Sequence, residues 1–268
     1  MTIAVGVIGP FGIVLAADSE EGAGSAGDLK SSAVKITGRH ILGAADPPAH
    51  KSILISGAGD CGYLSLLKQH IVDDFESDEA DSIESLDTKI RERVDSFYQR
   101  HVVPFSDFRN TDFVESLMVS LVIGASFNWQ GSRGQRLWLT YMNGVKMVPN
   151  FEVAAVGSGE QWVTNIIPVA STMDAITASA AAAYGIFFAK DHASGCGKQI
   201  RMALMRHGKY VPAKQESIDR LEIKFGEYNQ CERYMRNTLL GIPDGNAFSG
   251  IEERLPGTPL KVSDSRRS

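Results

Sequence analysis

Apolar residues come in two distinct rhythms along this chain. Residues 2 to 9 and 13 to 18 are runs of Ile, Val and Ala joined by Gly9-Pro10-Phe11-Gly12, which is turn chemistry, so a β-hairpin is predicted to open the fold. Further strands are predicted over 31–36 and over 51–56, the second running into Gly57-Ala58-Gly59. The period then changes. Leu64, Leu67, Ile71 and Phe75 recur every three or four residues, the spacing of one helix face, and a second helix is predicted from Ile83 to Tyr98. The stretch from Glu76 to Ser82 between them is an acidic link whose charges suit the start of the next helix.

From Ser116 the strand rhythm returns, over 116–123, 136–141 and 145–148, with an Asn143-Gly144 turn. Residues 151–156 form one more strand leading to Gly157-Ser158-Gly159. Helices are predicted near 160–166, over 173–189 and over 197–205, and Arg220 to Phe225 alternates like a late strand. Strands and helices in separate blocks argue for an α+β fold with mainly antiparallel sheets, not the strict alternation of a doubly wound one. One main domain is expected over residues 2–240, with extra helical length around 76–115. The Gly, Pro, Ser and charge-rich stretch 241–268 is expected to be a tail, mobile or docking on a neighbour.

With 268 residues, of which 43% are hydrophobic, the chain can bury a large core. A net charge of -5 without basic stripes gives no footprint for nucleic acid or an anionic membrane. The apolar start has no basic residues before it and is interrupted at Pro10, which fits neither a signal segment nor a membrane span. Cys61, Cys196 and Cys231 are far apart and odd in number, so neither a disulfide framework nor a Cys-x-x-Cys metal site is expected. A reducing, cytoplasmic setting follows from that usage.

Several motifs fail on inspection. Gly57-Ala-Gly59-Asp-Cys-Gly62 fits G-x-G-x-x-G after a strand and before a helix, yet a second helix follows where a βαβ unit needs a parallel strand. Gly195-Cys-Gly-Lys198 has His192 where a phosphate loop needs glycine, and Gln199 where it needs Ser or Thr. Ser158 lies in Gly-Ser-Gly and no Asp and His follow in a triad order. The six histidines lack metal-ligand spacing, so no metal and no cofactor is expected. Thr2 is different. With Met1 removed it would carry a hydroxyl and a free α-amine, a nucleophile and a base on one residue.

Thr2 at the head of a hairpin, Val14-Leu-Ala-Ala-Asp18-Ser19, Lys35-Ile36, Ile55-Ser-Gly57-Ala-Gly59, Val156-Gly-Ser158-Gly159 and Asp191-His-Ala-Ser194-Gly195 together resemble proteasome β-type subunits, which are N-terminal-nucleophile hydrolases. The resemblance runs from Thr2 to about residue 205. It implies a four-layer αββα sandwich of two mainly antiparallel sheets, and a threonine-type peptidase.

In such a site the Thr2 hydroxyl would attack the scissile carbonyl and its α-amine would take the proton. An α-amine titrates near 8, against about 10.4 for lysine, so it can act as a base at neutral pH. The resemblance makes Lys35 the lysine that favours the deprotonated hydroxyl and Asp18 its ion-pair partner. Gly57 would supply an oxyanion-hole amide where a side chain would obstruct the substrate. Ser158, Asp191 and Ser194 would hold the amine and hydroxyl in place, and Glu21, Ala33, Ile55 and Gly59 would shape the specificity pocket.

The implied substrate is an unfolded polypeptide or peptide, handled in a homo-oligomeric ring with a possible ATPase unfoldase. The absence of a propeptide before Thr2 resembles the simpler bacterial members. Two alternatives stay open: a small-molecule amidase of the same fold, and a non-catalytic assembly subunit. The chain exceeds a typical β subunit in length, around 76–115 and after 225, which bears on ring size and docking.

Overall fold

The two apolar runs at the start of the chain form the expected hairpin, β1 (Ile3–Gly9) and β2 (Gly12–Asp18). Every residue of both strands is buried, because both faces of the pair are covered. The computed structural model describes residues 3–18, 20–22, 30–32, 36–43, 49–77, 80–105, 117–129, 132–167, 173–192 and 199–239. β1 and β2 are inner strands of a five-stranded antiparallel sheet that also contains β10 (Val153–Gly157), β11 (Ile200–Arg206) and β12 (Lys209–Pro212), in the order β10-β1-β2-β11-β12. A second five-stranded antiparallel sheet follows chain order: β5 (Thr37–Leu42), β6 (His50–Gly59), β7 (Val119–Trp129), β8 (Ser132–Tyr141) and β9 (Gly144–Val148). A short ribbon, β3 (Glu20–Gly22) with β4 (Lys30–Ser32), stands apart from both.

The sheets pack face to face through Ala4, Ile8, Ile13 and Leu15 on one side and Leu54, Val122 and Leu137 on the other. Helices cover the outer faces. α1 (Cys61–Glu76) and α2 (Ile83–His101) lie on the second sheet, where Leu64, Leu67, Ile71 and Phe75 pack with Ile90, Val94, Ile55, Ile123 and Trp138. Each such side chain contributes about 1.5–3 kcal/mol by leaving water. α3 (Glu160–Ile166) and α4 (Ala175–His192) lie on the first sheet. The alanine-rich sequence of α4 buries Ala178, Ala182, Ala183 and Ala189, and these small side chains let the helix lie close over β1 and β2. The result is the αββα sandwich of an N-terminal-nucleophile hydrolase fold.

Helix ends are fixed by specific groups. Asp60 caps α1, its Oδ1 accepting from the amides of Gly62 and Tyr63 at 2.9 and 3.0 Å. Beyond the other end of α1, buried Lys51 donates from Nζ to the Ala80 carbonyl at 2.8 Å, with its cation over the Phe75 and Trp129 rings. Ser82 and Ser85 form a reciprocal capping box at the start of α2. Arg93 of α2 grips Asp74 of α1 through Nε and Nη2 at 2.6 and 2.7 Å, a two-point contact that fixes the helix pair.

Two elements differ from the sequence reading. Residues 200–205 of the expected helix 197–205 form, together with Arg206, strand β11. Ile200 and Met205 are buried while Arg201 and Arg206 are exposed, and pairing with both β2 and β12 outweighs the helix propensity of Met, Ala and Leu. Residues 220–225, expected as a strand, lie inside α5 (Gln215–Leu239), where burial of Ile218 and Phe225 seven residues apart follows the helical period. Of the strand expected over 31–36, residues 31–32 belong to β4, 33–35 lie outside the described residues, and Ile36 precedes β5. Contacts divide the chain into two units at Glu222/Ile223, and the tail expected beyond residue 240 lies outside the described residues. Among those residues no helix is long and apolar enough to cross a membrane.

One end of the sandwich is pinned by the β11–β12 turn. His207 and Gly208 both have positive φ, 52° and 72°, and a Cβ on Gly208 would lie 2.2 Å from the His50 carbonyl oxygen, so only glycine fits there. The Gly208 amide donates to Ser126 Oγ at 2.9 Å, and its carbonyl accepts from Ser52 Oγ at 2.6 Å. His50 lies in the same layer, 8% exposed and stacked on His40, with no hydrogen-bond partner for Nδ1. Burial, then the charges of Lys209 and His40, hold its imidazole below the ordinary value. The neutral ring therefore favours the folded state, whereas the unfolded chain takes up the proton first, near pH 6.5. Stability is expected to be full above that pH and to fall as the pH drops below it. Chemical denaturation between pH 8 and pH 5 should show this slope, and His50→Phe should flatten it.

Candidate functional site

The start of β1 sits in the middle of a sheet. Ile3 is opposite Gly157 of β10, and Ala4 is opposite Ala17 of β2. The Ile3 amide donates to Oδ1 of Asp18, at the end of β2, at 3.1 Å. Asp18 is completely buried. A carboxylate in that position is costly unless it is well partnered, and Asp18 has partners beyond this bond.

Other residues singled out in the sequence come to the same corner. Gly157 ends β10 with φ of 106°, and exposed Ser158 turns the chain into Gly159, which precedes α3. A Cβ on Gly159 would lie 2.6 Å from the Ile3 side chain and 2.7 Å from Ala189 of α4. Ala189 of α4 therefore packs at the same corner as Ile3 and Gly159, and exposed Asp191 follows it two residues on. Asp18 touches the first residue of β1 directly, while Ser158 and Asp191 lie one and two residues from the Gly159–Ala189 contact. Glu160, beside Ser158 at the start of α3, has its carboxyl pushed up by partial desolvation.

The facing sheet contributes the end of β6. Here β5 stops at Thr37, opposite Ile55, while β6 runs on to Gly59 beside β7. Among the described residues, the last four positions of β6 therefore have a strand neighbour on one side only. Gly57 lies in this stretch and is buried, and a Cβ on it would lie 2.4 Å from the Ser120 carbonyl oxygen and 2.8 Å from Leu64. The fold itself thus demands glycine at 57, a different reason from the substrate clearance that the sequence suggested. Gly59 is exposed at the strand end, just before the cap of α1.

Ile55 is placed differently from a pocket floor. It is fully buried in the layer shared with α1 and α2, so its side chain faces the helices. Ser56, one residue on, belongs to the opposite face of β6, with Leu54 and Ala58 of the inter-sheet layer. Its hydroxyl is buried without a hydrogen-bond partner. Period-two alternation from Ile53 is the signal that could have singled it out. Glu21 pairs with Ser31 in the β3–β4 ribbon. Thr2, Ala33, Lys35 and Ser194 lie outside the described residues. Among the described residues no three His, Cys, Asp or Glu side chains gather as a metal-ligand cluster.

Three substitutions at two positions test this geometry. Asp18→Ala leaves the Ile3 amide unsatisfied in the interior, a loss of about 1–3 kcal/mol, and Asp18→Asn, which keeps an oxygen acceptor, should lose less. Gly57→Ala forces the β6–β7 pair apart and should cost about 1–3 kcal/mol by overpacking. Urea denaturation of the three variants against the parent checks both expectations.

The same fold occurs in solved structures. The ancestral beta-subunit Anbu from Yersinia bercovieri matches with a TM-score of 0.62 and 15% identity, over 96% of this chain and 100% of that one. A chain from the helical assembly of the Anbu complex from Pseudomonas aeruginosa matches with a TM-score of 0.64 and 14% identity, over 92% and 99%. Anbu from Hyphomicrobium sp. strain MC1 gives 0.61 and 16%, over 91% and 99%. No family model matches the sequence, and no curated protein does. These findings overturn the assignment to the proteasome β-type subunits. The likeness is instead to the ancestral beta-subunit structures, a proteasome-like relative, and it is a likeness of fold.

Proposed function

We propose that this chain is an amide-bond hydrolase of the threonine-peptidase kind, with Thr2 as its nucleophile once Thr2 carries the free α-amine. The observation that carries the reading is the hydrogen bond from the Ile3 amide to the fully buried Asp18 carboxylate, in the middle of a sheet. Peptide geometry keeps the Thr2 Cα about 3.8 Å from that of Ile3. A nucleophile attached there would share the corner lined by Ser158 and the end of α4, opposite the open end of β6. Neither strand pairing nor core packing requires an acid at the end of β2, since an amide side chain could accept the same bond.

In the proposed reaction Thr2 Oγ attacks the carbonyl carbon, and the α-amine receives the hydroxyl proton and passes it to the departing amine. Lys35 favours the oxyanion form of the hydroxyl. The tetrahedral oxygen accepts a main-chain N–H from the open end of β6, at or near Gly57. Water then releases the acyl group from Thr2 by the same proton path in reverse. Ser158, Asp191 and Ser194 orient the amine, while Glu21, Ala33 and Gly59 line the approach. A peptide substrate fits this arrangement because an extended chain could pair with the side of β6 that, among the described residues, has no strand neighbour. The Pseudomonas aeruginosa relative forms a helical assembly, and self-association of this chain into a comparable oligomer belongs to the proposal.

The test is the intact mass of the purified protein before and after exposure to a peptide epoxyketone, which bonds to both the hydroxyl and the free amine of an N-terminal threonine. One added inhibitor on a chain beginning at Thr2, absent from a folded Thr2→Ala variant, is the expected result. A chain that retains a residue before Thr2, or a Thr2→Ala variant that takes up the inhibitor equally, would sink the mechanism. Mass photometry of the same sample reads the oligomer.

A further inference from the structure

A small open cavity of about 40 Å³ lies between α1 and α2, remote in sequence from every residue of the candidate site. Its lining is His70 from α1 and Arg93, Ser96, Phe97, Arg100 and His101 from α2. Four of these six side chains are basic and none is a carboxylate, in a chain whose 32 acidic residues outnumber its 27 Lys and Arg. Positions 93, 96, 97, 100 and 101 recur at helical spacing, so one stripe of α2 presents them together.

The components divide by role. Arg93 is already anchored, because its Nε and Nη2 hold Asp74 at 2.6 and 2.7 Å, which leaves Nη1 uncommitted in that contact. Phe97 is buried and forms the floor, with the His101 ring against it at 5.0 Å and Tyr63 against both. The His101 ring is thereby held in place by packing. Arg100 is exposed, and among the described residues it has no carboxylate partner. The cavity thus collects two guanidinium groups, one of them already holding Asp74, two imidazoles and a hydroxyl, and every one of these can donate a hydrogen bond.

We propose that this cavity is a binding site for a tetrahedral oxyanion of the phosphate class. Its volume holds roughly three waters, the size of such an ion, at about 10–15 Å³ of this measure for each. The planar fork of Arg100 and the remaining arm of Arg93 suit the edges of a phosphate, for which bidentate recognition is the rule. The inference is independent of the chemistry proposed for Thr2.

The test is isothermal titration calorimetry of the full chain with inorganic phosphate at pH 7 and constant ionic strength, with sodium acetate titrated in parallel. Saturable binding of one phosphate per chain is expected, with acetate binding at least tenfold more weakly. Arg100→Gln and His70→Gln, each at a solvent-accessible position, should each weaken phosphate binding at least fivefold while leaving the melting temperature unchanged. Absence of saturation by 20 mM phosphate (about 2.3 kcal/mol of binding or less) would overturn the proposal. So would equal affinity for acetate, or unaltered phosphate binding in both variants.

Discussion

The main-chain donor of Ile3, the first described residue of β1, lies in the interior of a sheet and must be satisfied there. Here Asp18 does that, from the end of the adjacent strand. The rest of the architecture follows from keeping β1 inside. Both faces of β1 and β2 must be covered because every residue of both is buried. One cover is the second sheet, and the other is α4, whose alanines permit the close approach. Since α4 runs over β1 towards Ala189, the end of that helix and the turn at Gly159 meet the same Ile3 that Asp18 holds.

The two ends of the sandwich are built for different purposes. At one end the His207-Gly208 turn fits against His50, Ser52 and Ser126, so the Ser52 and Ser126 hydroxyls, bonded to the Gly208 main chain, stitch the second sheet to the first. At the other end, among the described residues, β6 continues past Thr37 of β5 with a strand neighbour on one side only. His50 and Gly57 are seven residues apart on one strand, roughly 23 Å at the usual rise. A strand fixed firmly at one end and free at the other is a rigid platform for the groups near Gly57. The Arg93–Asp74 clamp and the Lys51 contact add to that rigidity by fixing the helices above it.

Much of this was legible in the sequence because the signals were local. The opening hairpin, the helix face of Leu64, Leu67, Ile71 and Phe75, and the separate blocks of strands and helices each rest on periodicity or turn chemistry. The misread segments are those where a local signal opposes the tertiary setting. Residues 200–206 carry helix formers yet fill a gap between β2 and β12, and residues 220–225 alternate yet sit where burial repeats every seven residues. Site residues were visible only as a spaced set. Asp18 holds the Ile3 amide across fifteen residues of sequence, and Gly159, next to Ser158, packs on the Ile3 side chain, whereas Ile55 turned out to face the helices because neighbouring residues of a strand point in opposite directions.

The candidate residues therefore carry unequal weight. Glycine at 57 is demanded by the Ser120 carbonyl and Leu64 whether or not any substrate is present, so it does not distinguish an enzyme from a scaffold of the same fold. Burial of Ile55 follows from packing alone. Asp18 is different, because an apolar residue would suit its buried surroundings and an asparagine would satisfy the Ile3 amide without the desolvation cost of a carboxylate. An acid retained under those conditions calls for a cation or a proton-handling group beside it. In the proposed mechanism that cation is Lys35, with Thr2 adjoining the residue whose amide Asp18 holds.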